Sequence, residues 1–314
     1  MHIPDGYLSP ISSAAMYGAA FPFWYIAARR LKKVLKGQMV PLLAIFSALS
    51  FTLMMFMIPV PGGSTAHPVG ATLLAIVLGP WAAVIGVSVA LFIQALLFGD
   101  GGIMAYGANA FNAAIILPFV GFFFYRLAIG NSPVGLRRQV LSAAIGSYLA
   151  INIMALATAL ELGAQPLLFH DASGAPMYFP FNWGVTVPAM LIPHLLVMGP
   201  VEAIVTGLVV AYLRRSYPQL LPRRIGVMHD VGLRSLKTLW IGLSIIVLLT
   251  PLGLLAAGPG LTERVVTDPE KLGWQTLPQG LERFSTFWQA PLSDYTILKI
   301  DTRLGYLVTA FIGV

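Results

Sequence analysis

Apolar residues run along this chain in long unbroken stretches rather than alternating with polar ones. Such stretches fall at roughly 10 to 29, 41 to 60, 107 to 127, 139 to 162, 184 to 213 and 237 to 256, and a last one starts near 304. About 20 apolar residues suffice to cross a bilayer as a helix, and a helix satisfies its own backbone hydrogen bonds in lipid. A further stretch, Val69 to Phe98, is broken by Gly79-Pro80 into pieces of about 11 and 18 residues and reads as a short hairpin or re-entrant loop. The pattern predicts an all-α, polytopic transmembrane bundle of about seven to nine membrane segments. The final run, Leu304 to Val314, has about 11 residues and reads as a partial helix or an anchor.

Composition agrees with that class. Hydrophobic residues make up 57% of the 314 and charged residues only 10%, with a mean hydropathy of +0.81, far more apolar than a soluble domain of this size. Cysteine is absent, which excludes thiolate metal sites, disulfides and cysteine nucleophiles. Histidine, carboxylate and backbone nitrogen are left as metal donors.

Charge supplies the orientation. Short cytoplasmic loops collect Lys and Arg, and 14 of the 19 basic residues lie in three clusters: Arg29 to Lys36, Arg126 to Arg138, and Arg214 to Lys237. All three share one face only if Val69 to Phe98 returns to the side where it began. The expected topology is therefore a multi-pass plasma-membrane protein with its amino terminus outside the cell. The segments Gly62 to Gly70, Gly99 to Tyr106, Gly163 to Trp183 and about 257–303 would lie on the same outer side. Ten of the twelve acidic residues fall there, so the outer field favours cations and the net charge of +7 is a topology signal, not a nucleic-acid footprint.

The segment of about 257–303 carries Pro, Gly and most of the remaining charge and reads as either an ordered cap or a linker. The amino end lacks the basic region and apolar core of a signal peptide, its only charge among the first ten residues being Asp5. Met1 is thus expected to be the mature terminus. It should also be retained, because His2 is too large for methionine trimming.

Five histidines, at 2, 67, 170, 194 and 229, separate under this topology. His229 reads as solvated and His170, beside Asp171, as a turn residue. His2 differs because it follows a free terminus. The Met1 α-amine, the deprotonated His2 amide and the His2 imidazole form three consecutive nitrogen donors, closing a five-membered and a six-membered chelate ring. Such an array is planar, which suits Ni(II) or Cu(II), with low-spin Co(II) as a further option. His67, in GGSTAHPVG at the expected entrance of a helix starting with Pro68, could fill the fourth position. Met-His termini also arise by chance, and a loop histidine is often no ligand.

Within the membrane span, His194 and Glu202 lie eight residues apart on similar helix faces, about 12 Å along the axis. Ionisable groups at that depth are transport or docking candidates, although a hydrogen-bonded structural glutamate explains Glu202 equally well. Polar groups expected near the outer site are Asp5, Ser64, Thr65, Asn109 and Asn112. Asp5, in Ile-Pro-Asp-Gly, reads equally as a turn residue.

MHIPDGYLSP, then GGSTAHPVGATLLAIVLGPWAA, then GDGGIMAYGANAFNAA resemble the substrate-binding M component of cobalt and nickel transporters of the energy-coupling-factor type. TPLGLLAAGPG followed by PQGLERFSTFWQAPLSDY resembles the N component, with Gln279 where that family's PDGLE motif has Asp. The resemblance implies an M-type domain over 1–236 and an N-like region over 237–314, and a four-nitrogen site of Met1, His2 and His67. It also implies a membrane coupling (T) component and cytoplasmic ATPases as partners. The chain has no GxxxxGK[ST] phosphate loop, so it is expected not to be an enzyme and to need no cofactor beyond the transported Ni(II) or Co(II). Fusion of the two parts tips the expectation toward nickel. The alternatives are a proton-coupled secondary cation transporter using His194 and Glu202, and an intramembrane metalloenzyme, for which no HExxH exists.

Overall fold

The computed structural model describes residues 2–34, 39–60, 64–130, 135–221, 237–254, 277–297 and 300–314. Met1, His229 and much of 257–303 lie outside them. The segment LSPISS opens α1 (Pro10–Val34). Ser9 Oγ accepts from Ser12 N at 3.0 Å, and Pro10 sits at the first helical position, where its missing N–H breaks no bond. At 1.5 Å per residue α1 is about 37 Å long; its basic cluster lies at the end opposite the amino terminus.

After α2 (Met39–Met54), the chain forms a two-stranded antiparallel hairpin, β1 (Ile58–Val60) and β2 (Ser64–Ala66), with Ile58 opposite Ala66. The sequence reading has the first strand as the end of the 41 to 60 apolar stretch and the second as part of a loop; the helix instead ends at Met54. The eight-residue α3 (Ala71–Leu78) follows, every residue of it buried. It starts at Ala71 rather than Pro68 because Gly70 takes φ 72°. Gly79, at φ 91°, then breaks the chain, and Pro80 opens α4 (Pro80–Ile93). This is the expected interruption, in a conformation only glycine adopts cheaply.

Three of the helical paths pass through a π-helical turn. A π turn, Gln94–Phe98, extends α4; another, Phe111–Ile116, joins α5 (Tyr106–Ala110) to α6 (Leu117–Ile129); a third, His194–Met198, joins α8 (Trp183–Pro193) to α9 (Gly199–Ser216). Between them α7 (Leu136–Leu168) is the central post, packed against α6, α8 and α9. The chain closes with α10 (Lys237–Leu249), α11 (Gln279–Phe284) and α12 (Thr302–Gly313).

Four helical paths, Pro80–Phe98, Tyr106–Ile129, Leu136–Leu168 and Trp183–Ser216, are long and apolar enough to cross a membrane; Met39–Met54 and Lys237–Gly253 are shorter apolar helices. With α1, α3 and α12 these make nine apolar helical paths among the described residues, in keeping with an all-α membrane bundle. Many large apolar side chains on their outer faces are exposed, for example Phe21, Leu196, Leu208 and Leu127, as lipid-facing residues are. The final run is a 12-residue helix, buried through Tyr306, Thr309 and Ala310.

Candidate metal centre

Residues 2–9, ahead of α1, are packed into the protein rather than trailing from it. Ile3, Tyr7 and Leu8 are 1%, 0% and 1% exposed and cluster with Ala105, Ala108, Leu162, Phe179 and Leu281. Polar anchors fix the register of this arm. Asn109 pairs with the backbone of Ile3 in both directions, its Oδ1 accepting from Ile3 N at 2.7 Å and its Nδ2 donating to Ile3 O at 3.0 Å. Gly102 N donates to Ile3 O at 2.9 Å. A Cβ on Gly102 would collide with Asp5, so the close approach of arm and loop requires glycine there.

Asp5 serves this docking. Its carboxylate accepts from Ile103 N, Met104 N and Ala105 N at 3.1, 2.7 and 3.3 Å. Burial raises its carboxyl above the usual carboxylate range, and those three N–H groups pull it back part of the way. Three donors in succession, just before α5, give Asp5 the geometry of a remote helix cap.

The arm delivers His2 to His67. Their ring centroids are 4.6 Å apart, tilted by 32°, and both residues are buried. The Nδ1 of His67 lies 3.2 Å from Pro68 O; a carbonyl only accepts, so Nδ1 carries the proton and Nε2 keeps its lone pair. Burial first, then the positive charge of the amino terminus and of His2, hold His67 well below the usual imidazole range, which favours the neutral, ligating form. The Nε2 atoms of His2 and His67 are both buried without a hydrogen-bond partner, an arrangement costly unless something else occupies it.

The His2 ring is held by a residue that sequence reasoning did not select. His2 Nδ1 lies 2.7 Å from Asp100 Oδ1, the other carboxylate oxygen accepts from the Tyr295 hydroxyl at 2.6 Å, and that hydroxyl accepts from Gln94 Nε2 at 3.0 Å. Burial alone would raise Asp100, but attraction to His2 and the hydrogen bonds from His2 and Tyr295 outweigh it and leave the carboxyl below its usual range. The available signal was GDGG itself, an acid set between glycines.

The cobalt uptake substrate-specific transmembrane region model, CbiM, matches residues 2–220. The chain belongs to the CbiM family. It is 45% identical over 330 residues to the fused nickel transport protein NikMN of Rhodobacter capsulatus, covering 100% of this chain and 94% of that protein. It is 43% identical over 322 residues to the probable fused nickel transport protein LarMN of Lactiplantibacillus plantarum, again covering 100% and 94%. A solved truncated transition metal transporter shares its fold at a TM-score of 0.66 and 57% identity, over 68% of this chain and 99% of that one.

Within this CbiM-family chain the other selected residues are placed as follows. Thr65 is buried in β2 near His67, and Ser64 begins the same strand. Asn112 faces α7, its Nδ2 donating to Thr158 Oγ1 and Glu161 Oε2 at 3.2 and 2.8 Å. Glu202 is fully buried and accepts from Val69 N and Gly70 N at 2.8 and 2.9 Å, capping α3 two residues beyond His67. His194, in the third π turn, has Nδ1 2.6 Å from Met190 O and an unpartnered Nε2. His170 stands in a turn closed by Asp171, which accepts from Ser173 and Ala175.

Proposed function

We propose that this chain is the substrate-binding component of an ATP-driven nickel or cobalt uptake transporter of the cell membrane. It takes the ion at its outward-facing amino terminus, while a membrane coupling component and cytoplasmic ATPases supply the energy. The observation that carries the reading is the pair of buried imidazoles at 4.6 Å, each with an unpartnered Nε2. Among the described residues no three His, Cys, Asp or Glu side chains gather as a metal-binding group. Two imidazoles need further donors, and the nearest in the chain are backbone nitrogens: the Met1 amine and the His2 amide. With His2 Nδ1 and His67 Nε2 they make a four-nitrogen plane, the geometry of Ni(II).

Chelation through His2 Nδ1 requires that atom to leave Asp100. A half-turn of the ring about Cβ–Cγ does this and sets Nε2 one ring bond from the place Nδ1 vacates, so the same carboxylate can hold the other nitrogen. The ring proton moves from one nitrogen to the other, and Asp100 becomes the acceptor that orients a metal-bound imidazole. Full-length similarity to fused nickel transport proteins supports nickel over cobalt, and the 237–314 region is read as the N-like part. A proton-coupled carrier built on Glu202 is disfavoured because both carboxylate oxygens already accept from the α3 entrance.

Titration with nickel across pH tests this. Each ion displaces the amide proton at any pH and, below the amine's usual range of about 7.7–8.0, the ammonium proton too. His67 is already neutral and adds none. As pH is lowered, affinity should therefore fall about 10-fold per unit above that range and at least about 100-fold per unit below it. An affinity independent of pH would exclude amide and amine ligation.

A further inference from the structure

Asp100 links His2 to the far end of the chain. Tyr295 lies beyond the family-matched residues 2–220, yet it is 2% exposed and its hydroxyl sits 2.6 Å from Asp100 Oδ2. The segment that carries it is fastened where the π turn after α4 ends. Trp288 Nε1 donates to Leu96 O at 2.9 Å and Leu292 N to Leu97 O at 2.9 Å, using carbonyls that a helix end leaves without internal partners. The Tyr295 ring stacks on Phe98 at 4.7 Å and 18° and meets Tyr306 of α12 edge-on at 5.2 Å. Its backbone is held at φ 57°, the only non-glycine residue with positive φ among those described. A tyrosine kept in the left-handed region marks a position where the surroundings over-determine the side chain.

We propose that Tyr295 is a positioning residue of the metal site. Its hydroxyl fixes one oxygen of Asp100, which leaves the other aimed at the His2 ring whichever nitrogen is presented, so the C-terminal region completes a site whose ligands all come from the amino-terminal part. The inference rests on the metal-binding reading above. It implies that an ion is held tightly only when residues 277–297 are docked, a contact already close at Gly6, where an added Cβ would lie 2.8 Å from Leu281 O.

The test is nickel titration of the full chain with a free amino terminus. Tyr295→Phe keeps the stacked ring and removes only the hydroxyl. Its affinity should fall about 10- to 100-fold, as for other outer partners of metal-bound histidines, with a broadened d–d band; the melting temperature should fall too, because the buried Asp100 and Gln94 side chains each lose a partner, while the chain stays folded. Asp100→Asn should lose a similar factor, and adding Tyr295→Phe to it should cost less than about 2-fold more, because the two act through one contact. Wild-type affinity in Tyr295→Phe overturns the proposal, as do independent, fully additive losses. Should Tyr295→Phe not fold, wild-type affinity in Asp100→Asn overturns it alone. Failure of the underlying reading looks different: the unmodified chain itself would bind no nickel in a planar field.

Discussion

Adding a single residue before Met1, or acetylating it, should reduce nickel affinity by more than about 1000-fold, about 4 kcal/mol, while the melting temperature stays where it was. The terminal amine is the one donor that any amino-terminal extension converts into an amide, and losing it opens the five-membered ring that makes the His2 amide worth deprotonating. The remaining donors must then bind without the high effective concentration the chelate provides. Stability should not follow, because an addition before Met1 removes none of the buried contacts that Ile3, Tyr7 and Leu8 make. Calorimetric titration of a tagged chain, then of the same chain after cleavage restores Met1 as the first residue, measures it; equal affinity before and after cleavage would remove the amine from the site.

Asp5→Ala should be the next most damaging change, although Asp5 donates nothing to the ion. The substitution strands three N–H groups, those of Ile103, Met104 and Ala105. Leaving buried donors unmet costs about 1–3 kcal/mol each, less where water can enter. A net loss of about 3 kcal/mol in docking would leave the arm seated in about one molecule in a hundred if docking had been marginal, and apparent affinity falls by the same factor. Asp5→Asn, which keeps one acceptor oxygen, should fall between. Proteolysis within residues 2–9 should accelerate in Asp5→Ala before any change in the helices, and an arm that stays protected with full affinity would contradict this role.

The helical fold is legible in the sequence because membrane helices announce themselves by length and apolarity, and Gly79-Pro80 marks the break between α3 and α4 for reasons local to two residues. The approach of His2 to His67 is legible for a different reason: the chemistry of a Met-His terminus asks for a fourth donor, and few histidines could supply it. What escapes is tertiary. Asp100 and Tyr295 meet across 195 positions, and Glu202 reaches α3 across 133; a carboxylate satisfied by backbone N–H groups has no counterpart residue to look for. The three π turns carry no compositional mark, and the strands β1 and β2, three residues each, are too short to show alternation. Asn109 and Asn112 look alike in sequence, but their places on successive helical turns send one to the arm and the other to α7.

The visible absorption spectrum of the nickel-loaded chain, purified with Met1 free, bears most directly on the four-nitrogen site. The account predicts the single d–d band of planar, diamagnetic Ni(II) at one ion per chain, lost in His67→Ala. A weak octahedral spectrum from paramagnetic nickel, or a planar band that persists in His67→Ala, would contradict it.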